Sequence, residues 1–267
     1  MLKLRILSAA VALPLFVAAM FLLPNAWWSI ALFAPLVVAA REWARLGAFG
    51  RGAEAAFLAV LLAACILLWV IAAGATSSEH ATPFPDRAVY VISIAFWCVV
   101  APCWLWLKIR VCNRVMLAAA GLVVLLPTWL ALARLQSEPK LLLQLLAVVW
   151  IADSAAFFTG RALGRRKLAP AISPGKTWEG VGGAFAAVAV YAWTLHFLLL
   201  STPGLPFIVA AFFGMTALGI VGDLLESWLK RGAGVKDSGT VLPGHGGMLD
   251  RIDGMTAALP LAALILS

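Results

Sequence analysis

The stretch LPFIVAAFFGMTALGIVGDLL, residues 205–225, is long and apolar enough to cross a bilayer, and it decides the fold class. A hydrocarbon core about 30 Å thick requires a helix of about 20 apolar residues. Inside lipid every backbone polar group must be satisfied within the segment, so this span is predicted to be a helix. Its one ionisable residue, Asp223, lies near the end, and such a group usually faces a polar cavity.

Similar apolar runs recur along the 267 residues, of which 64% are hydrophobic and 12% charged. The mean hydropathy of +1.00 excludes a soluble globular protein. The short-period alternation of membrane β-barrels is not found either. The sequence therefore predicts an all-α, polytopic helical membrane protein. It forms one integral membrane domain over residues 1–267, with N-terminal spans in 1–140, and with spans and cytoplasmic loops that carry the candidate catalytic motifs in 141–267. We predict about nine spans, of which the second and ninth are short: 6–23, 26–40, 54–73, 88–107, 115–133, 141–158, 180–200, 205–225 and 252–267.

The first segment, MLKLRILSAAVALPLFVAAMFLLP, has two interpretations, because a basic start followed by an apolar run also describes a signal peptide. The run is long for a signal peptide and no small-x-small cleavage site follows it, which favours an uncleaved first span. The four cysteines lie in or beside apolar runs without the spacing of a zinc site, so they are predicted to be packing residues: Cys65, Cys98, Cys103 and Cys112.

The basic residues predict the orientation. With the N-terminus in the cytoplasm, all of the 20 Lys and Arg residues except Arg87, Arg134 and Lys140 fall on the cytoplasmic side. The net charge of +8 then lies against the anionic leaflet. Two longer polar segments, 159–180 and 226–253, face the cytoplasm. Basic loops orient any membrane protein, so charge alone identifies no substrate.

Side chains at the end of the 205–225 span begin a candidate site. On a helix Asp223, Ser227 and Lys230 share one face, since they are spaced i, i+4, i+7. Glu226 is predicted to form an ordinary i,i+4 pair with Lys230, which is a structural role. Asp153, in the sixth predicted span, lies about 10 Å from Gly160 along the helix axis. That is the depth of a lipid headgroup, although a structural contact with a neighbouring span is an alternative.

The segment KDSGTVLPGHGGMLDRIDG, residues 236–254, combines glycines, bases and acids. Glycines let backbone amides approach an anion, and basic residues supply the charge that a polyphosphate needs. Asp250 and Asp253, spaced i,i+3 on the first turn of the last helix, have the oxygen ligands that Mg²⁺ prefers. His245 is the one histidine near this charged loop. A solvated glycine-rich loop has a similar composition, so this segment is weak evidence by itself.

The run from Ser227 to Asp253 resembles the signature of the phosphatidate cytidylyltransferases, or CDP-diacylglycerol synthases. Its fixed positions in this chain are Ser227, Lys230, Arg231, Lys236, Asp237, Gly239, Leu242, Pro243, His245, Gly246, Gly247, Met248, Asp250, Arg251, Ile252 and Asp253. The upstream ISPGKTWEG, residues 172–180, and Asp153-x-Ala-Ala-Phe are also similar to that family. Gly175 departs from it, because the common motif has a basic residue after Pro174. The first 140 residues match only as a hydrophobic pattern.

The resemblance implies an integral membrane enzyme, usually a homodimer, that converts CTP and phosphatidic acid into CDP-diacylglycerol and pyrophosphate with Mg²⁺. It implies Asp223 and Asp250 as metal ligands, with Asp153 and Asp253 nearby. Phosphate groups would be held by Lys230, Arg231, Lys236 and Arg251, beside Ser227 and Asp237 of the same signature. His245, Gly246 and Gly247 would cover the nucleotide, and the cavity would be completed by Ser173, Lys176, Thr177 and Glu179. A phosphomonoester nucleophile already carries negative charge near neutral pH, so it needs cations and alignment more than a base.

Three other functions remain to be compared with this one. A CTP-dependent kinase of a membrane alcohol would share nucleotide-handling features, but the complete signature argues against it. CDP-alcohol phosphotransferases require D-G-x2-A-R, whereas Asp253-Gly254 is followed here by Met-Thr-Ala-Ala. A transporter would show interrupted helices in two related halves, and here the polar chemistry is confined to the C-terminal part. The composition, rich in Ala, Leu, Arg and Trp, suggests a bacterial inner membrane with the site facing the cytoplasm.

Overall fold

The computed structural model describes residues 2–75, 84–109, 113–199, 204–241 and 246–267, and most of them are helical. A π-helical turn, Phe96–Val100, joins the helices Phe84–Ala95 and Ala101–Trp106 into one continuous helix. The helices are α1 (Leu2–Leu22), α2 (Asn25–Ala31), α3 (Phe33–Leu46), α4 (Arg51–Ala75), α5 (Phe84–Ala95), α6 (Ala101–Trp106), α7 (Arg114–Leu135), α8 (Pro139–Leu163), α9 (Trp178–Leu199), α10 (Leu205–Gly232) and α11 (Leu249–Leu266).

Six helical segments of the described ranges are long and apolar enough to cross a membrane, which agrees with the predicted all-α membrane protein. They coincide with six of the predicted spans: Arg51–Ile71, Asp86–Trp106, Arg114–Leu135, Pro139–Leu163, Trp178–Leu198 and Leu205–Gly232. Ala10–Leu22 of α1 is a shorter apolar helix. The ninth predicted span corresponds to α11, whose first turns carry Asp250, Arg251 and Asp253.

The second predicted span, 26–40, comprises two helices, α2 and α3, rather than one continuous helix. The helix is interrupted at Leu32, between α2 and α3. Pro35 lacks the amide hydrogen that would bond to the Ala31 carbonyl, so the helical ladder is interrupted there. After the break α3 continues to Leu46, past the predicted end, and this extension brings Glu42 into the folded core.

A small β-hairpin lies within the polar segment 159–180, where the sequence predicted no regular structure. Strand β1 (Lys167–Ala169) pairs antiparallel with β2 (Ser173–Thr177), with Lys167 opposite Thr177 and Ala169 opposite Ser173. The hairpin connects α8 to α9. It therefore brings Lys176 back towards the ends of the long helices.

Glycines allow two helix pairs to pack closely. On α10, Gly219 faces Gly254 of α11, and a Cβ atom at Gly222 would overlap the Asp253 carbonyl. On α9, Gly180 and Gly183 face α8 in the same way. Small residues at such positions let helix backbones approach each other in membrane proteins. The α10–α11 contact brings the acidic side chains of both helices together.

Two prolines inside helices are compensated by neighbouring side chains. Pro260 of α11 frees the Thr256 carbonyl, which accepts hydrogen bonds from Trp97 Nε1 at 3.1 Å and Thr128 Oγ1 at 3.4 Å. Pro127 of α7 similarly frees the carbonyl of residue 123, which accepts a bond from Ser93 Oγ at 3.3 Å. The bonds to Thr256 join α11 to the π-helical turn and to α7, and the bond from Ser93 joins α5 to α7.

The cysteines differ in their environments. Cys65 is buried in the core, as predicted for a packing residue, whereas Cys98 and Cys103 lie on the outer surface of the Asp86–Trp106 segment. Cys112 lies outside the described residues.

Candidate active site

The amino group of Lys230 links the two helices that carry the acidic residues. Its Nζ lies 2.6 Å from Asp250 Oδ1 of α11 and 2.6 Å from Glu226 Oε2 of its own helix. The predicted i,i+4 pair of Glu226 and Lys230 is therefore confirmed. The predicted common face of α10 is confirmed as well, because Ser227 Oγ donates to Asp223 Oδ1 at 3.3 Å. Lys230 and Glu226 are both buried.

Asp250 organises the loop that precedes its own helix. Its Oδ2 accepts hydrogen bonds from Ser238 N at 2.9 Å, Ser238 Oγ at 3.1 Å and Gly247 N at 2.8 Å. Burial opposes ionisation of this carboxyl, but Lys230 and the two backbone amides outweigh burial and hold its pKa below the ordinary value. Gly246 has φ +83°, and a Cβ atom there would crowd Asp250 Oδ2. Glycine is therefore required at this position.

Basic residues attach the hairpin and the loop to the end of α10. Lys176 of β2 forms an ion pair with Asp223. Arg231 Nη1 donates to the Val235 carbonyl at 3.1 Å, and its Nε donates to the Ile172 carbonyl at 3.4 Å. The segment around ISPGK therefore contacts the end of α10.

Thr177 and Glu179 hold the hairpin in place. Glu179 accepts hydrogen bonds from the backbone amides of Arg165 at 3.0 Å and Arg166 at 3.2 Å. Thr177 is buried, and its Oγ1 accepts from Gly180 N at 3.1 Å. These contacts are local, so in this structure both residues position Lys176. Ser173 faces Ala169 across the hairpin.

Acidic side chains from three helices converge beneath these cations. The carboxylates of Asp223, Glu226 and Asp153 repel the Asp253 carboxylate. Asp153 is also repelled by Asp223, and it is attracted by Lys176. Asp253 Oδ1 also accepts a bond from Gly254 N at 2.8 Å. The site therefore combines carboxylates of α8, α10 and α11 with lysine and arginine side chains. That arrangement can bind a cation together with phosphate oxygens.

The carboxylates agree in type with the oxygen ligands that Mg²⁺ prefers. Glu226 Oε1 is buried and has no hydrogen-bond partner, which indicates spare acceptor capacity at the site. Within the described ranges, however, no three His, Cys, Asp or Glu side chains are already grouped closely enough to hold an ion. A Mg²⁺ ion here would take two carboxylates and complete its shell with water and substrate oxygens, as this ion usually does.

The remaining predicted residues lie around this core. Lys236 and Asp237 are exposed on the loop after α10, and Arg251 is exposed on the first turn of α11. Gly247 is buried, and its amide donates to Asp250 as described above. The predicted role of His245 falls on a position outside the described residues.

Glu42 of α3 belongs to the site and was missed by the sequence analysis. It is 1% exposed and accepts bonds from Met248 N at 3.0 Å, Leu249 N at 2.8 Å and Ser238 Oγ at 2.9 Å. The sequence offered one signal, an acidic residue beside the apolar 26–40 run. Because that span was predicted to end at residue 40, Glu42 was left in a connecting loop.

The whole chain resembles one known family. The model of the cytidylyltransferase family matches residues 3–267. This chain belongs to the cytidylyltransferase family. Among members, the phosphatidate cytidylyltransferase of Pseudomonas aeruginosa is 39% identical over 100% of this chain and 97% of its own length. That of Haemophilus influenzae is 34% identical over 97% of this chain and 96% of its own length.

A third relative matches a shorter part of the chain at higher identity. The phosphatidate cytidylyltransferase of Brucella suis is 52% identical over 121 residues, which are 45% of this chain and 44% of its own length. Similarity to the first two relatives also covers the N-terminal half, which the sequence signature left as a hydrophobic pattern. Family membership therefore extends to α3, the helix that carries Glu42.

Proposed function

We propose that this protein is an enzyme that transfers the cytidylyl group of CTP to phosphatidate, giving CDP-diacylglycerol and pyrophosphate for phospholipid synthesis. The observation that carries the proposal is the full-length similarity to proteins named phosphatidate cytidylyltransferase. The geometry of the site supports it. Cations and carboxylates lie together at the end of a membrane helix, where a lipid phosphate and a soluble nucleotide can meet.

In the proposed reaction a phosphate oxygen of phosphatidate attacks the α-phosphorus of CTP. A new P–O bond forms, the bond from the α-phosphorus to the oxygen bridging the β-phosphate breaks, and pyrophosphate leaves with that electron pair. The attacking oxygen is already anionic, so no side chain has to remove a proton from it. The protein must instead align two anions and neutralise the charge that develops on the leaving group.

The basic residues perform that neutralisation. Lys176 and Lys230 are held in place by Asp223 and Asp250, so their ammonium groups are fixed where the phosphates enter. Arg231 is oriented by two carbonyls. Lys236 and Arg251 are exposed on the solvent side of the site, where they are proposed to contact the nucleotide. Fixed cations in a partly water-excluded site stabilise developing charge more than mobile ones do.

The glycines at the end of the loop are proposed to let a phosphate approach the main chain beside Asp250. The amide of Gly247 itself donates to Asp250, so this glycine acts by holding that carboxylate. Ser227 orients Asp223 from the following turn of the helix. His245, between these elements in sequence, is proposed to cover the nucleotide.

Asp223 and Asp250 are the proposed Mg²⁺ ligands, with Asp153 and Asp253 in support. When bound, the ion would supply positive charge that offsets the negative charge developing on the leaving pyrophosphate. Asp223 is the more accessible of the two carboxylates, with its side chain 33% exposed against 8% for Asp250. The remaining ligands would come from water and from the nucleotide.

We further propose that the chain forms about nine spans in a bacterial inner membrane and acts as a homodimer. The basic residues support an orientation with the site towards the cytoplasm, where CTP is found. The P. aeruginosa and H. influenzae relatives are bacterial proteins, which is consistent with that location.

Isotope transfer tests the proposed reaction. Purified protein in phosphatidate vesicles is incubated with CTP labelled at the α- or the γ-phosphorus, and the lipid and aqueous phases are counted separately. We expect α-label in the lipid and γ-label in pyrophosphate. Transfer of γ-label to a lipid alcohol would instead establish a kinase, and the absence of transfer in either case would refute both.

A further inference from the structure

We infer that Glu42 is a positioning residue for this reaction, acting from the N-terminal half of the chain on the loop and helix that carry Asp250. The inference rests on the proposed function for its catalytic consequence. The structural part, that Glu42 anchors the loop, can be tested without any activity.

The Glu42 carboxylate caps α11 from another helix. The first amides of a helix have no partner inside it, and Met248, at the N-cap position, provides no side-chain acceptor. Glu42 Oε1 accepts from Met248 N and Oε2 accepts from Leu249 N, so one side chain satisfies two of these amides. Its negative charge also interacts favourably with the positive end of the helix dipole.

Ser238 connects Glu42 to Asp250. Its hydroxyl lies 2.9 Å from Glu42 Oε2 and 3.1 Å from Asp250 Oδ2, while its amide donates to Asp250. A hydroxyl has one proton and can donate to one carboxylate at a time. The two carboxylates therefore share the one hydroxyl proton of Ser238, and removing either carboxylate changes the hydrogen bonding of the other.

The loop has no room for anything larger beside Glu42. A Cβ atom at Gly239 or Gly247 would overlap the Glu42 side chain. No Lys or Arg nitrogen of the described residues forms a salt bridge with Glu42. The buried charge depends instead on backbone and hydroxyl donors, so the carboxylate and the loop conformation require each other.

The helix that carries Glu42 is itself fixed. The neighbouring Trp43 donates from Nε1 to the Leu117 carbonyl of α7 at 2.8 Å and is buried. The position of α3 is thus set by the helix bundle and transmitted through Glu42 to the start of α11. Because Asp250 lies one residue after Leu249, its direction depends on this contact.

The main test replaces Glu42 by Gln, which preserves size but puts an N–H donor where an acceptor is needed. At least one donor of the loop then loses its partner. We expect kcat to fall by at least about 10-fold, while KM for CTP changes by less than about 3-fold, since misalignment affects the transition state more than binding. The matched control is Glu54→Gln, which breaks an exposed ion pair with Arg41 and should leave kcat unchanged.

Hydrogen exchange supplies the readout that does not depend on activity. In Glu42→Gln the amides of residues 246–252 should exchange faster, whereas those of α9 should not, because opening is confined to the released segment. Unchanged exchange of 246–252 together with an unchanged kcat would overturn the inference. A wild-type protein that makes no CDP-diacylglycerol would refute the proposed function, and the exchange experiment would still decide whether Glu42 anchors the loop.

A second variant keeps the inference testable if Glu42→Gln does not fold. Ser238→Ala removes the connecting hydroxyl but leaves both carboxylates and all amides in place. For Ser238→Ala alone we expect a smaller loss of kcat and faster exchange of residues 246–252. Where Glu42→Gln does fold, the double variant should lose less than the product of the two single losses, because both changes act on one contact. Independent, multiplicative effects, or full activity of Ser238→Ala, would contradict the proposed connection.

Discussion

Replacement of Gly222 by Ala tests whether the close contact between α10 and α11 sets the geometry of the site. The added Cβ atom would lie 2.5 Å from the Asp253 carbonyl oxygen, whereas ordinary contacts begin near 3.4 Å. The obstructing atom belongs to the backbone, so a rotamer change cannot relieve the overlap. The two helices must separate by roughly 1 Å, which costs about 1–3 kcal/mol for an overpacked interior.

The effect on turnover should exceed the effect on stability. Asp223 and Lys230 are on α10, whereas Asp250 is on α11, so the separation displaces the two halves of the site relative to each other. A misplacement of about 1 Å can lower the rate about 10²-fold, equivalent to about 2.7 kcal/mol in the activation free energy. We expect kcat to fall to that extent while the variant remains folded at assay temperature.

The matched control lies on the same helix. At Gly214 an added Cβ atom would meet Leu261 Cδ2, the end of a flexible side chain that can rotate away. CDP-diacylglycerol formation and thermal unfolding in detergent are measured for Gly222→Ala, Gly214→Ala and wild type. Near-native turnover of Gly222→Ala, or an equal loss in both variants, would refute the argument that this backbone contact fixes the site.

Three further predictions concern the metal, the pH dependence and the orientation. Asp223→Asn and Asp250→Asn should each lower turnover at least about 10²-fold in assays over a range of Mg²⁺ concentrations. The double variant should lose much less than the product of the two single losses, and near-native rates of the single variants at low Mg²⁺ would exclude these ligands. The folded-state pKa of Asp250 is depressed, so its contribution to stability is complete above its unfolded pKa of about 3.9 and is lost as the pH falls through the folded pKa. Between pH 6 and pH 3 the Tm of wild type should therefore fall more steeply than the Tm of Asp250→Asn, and parallel curves would contradict this. In a background without native cysteines, Ser137→Cys should react with an impermeant thiol reagent from outside and Thr240→Cys only after the membrane is opened, whereas the reverse pattern would overturn the orientation.

Features set by local sequence were predictable. The long helices follow from uninterrupted apolar runs, and the Glu226–Lys230 pair follows from i,i+4 spacing on a helix. The position of Asp250 at the start of the last helix was predicted from MLDRID in the same way. These features depend on contacts between residues close in sequence.

Features set by tertiary contacts were not predictable from one sequence. Glu42 contacts Ser238 across 196 positions and Leu249 across 207, and no periodicity in the chain relates them. The hairpin was missed because β1 has three residues and β2 contains a proline and a glycine, which strand patterns disfavour. The break at Leu32 was missed because proline is tolerated in membrane helices, so Pro35 did not by itself predict an interruption.

The Thr256 carbonyl that Pro260 leaves without a helical partner has a consequence for assembly. In lipid an unpaired carbonyl costs several kcal/mol, so α11 cannot lie against an arbitrary neighbour. The indole of Trp97 supplies the missing donor, and the Thr128 hydroxyl, which also lies 2.7 Å from the Val124 carbonyl, makes a longer contact from another helix. A one-turn slip or a rotation of α11 during insertion would lose both. A proline is usually regarded as a weak point in a helix. Here it favours the correct arrangement of three helices over arrangements in which α11 is slipped or rotated.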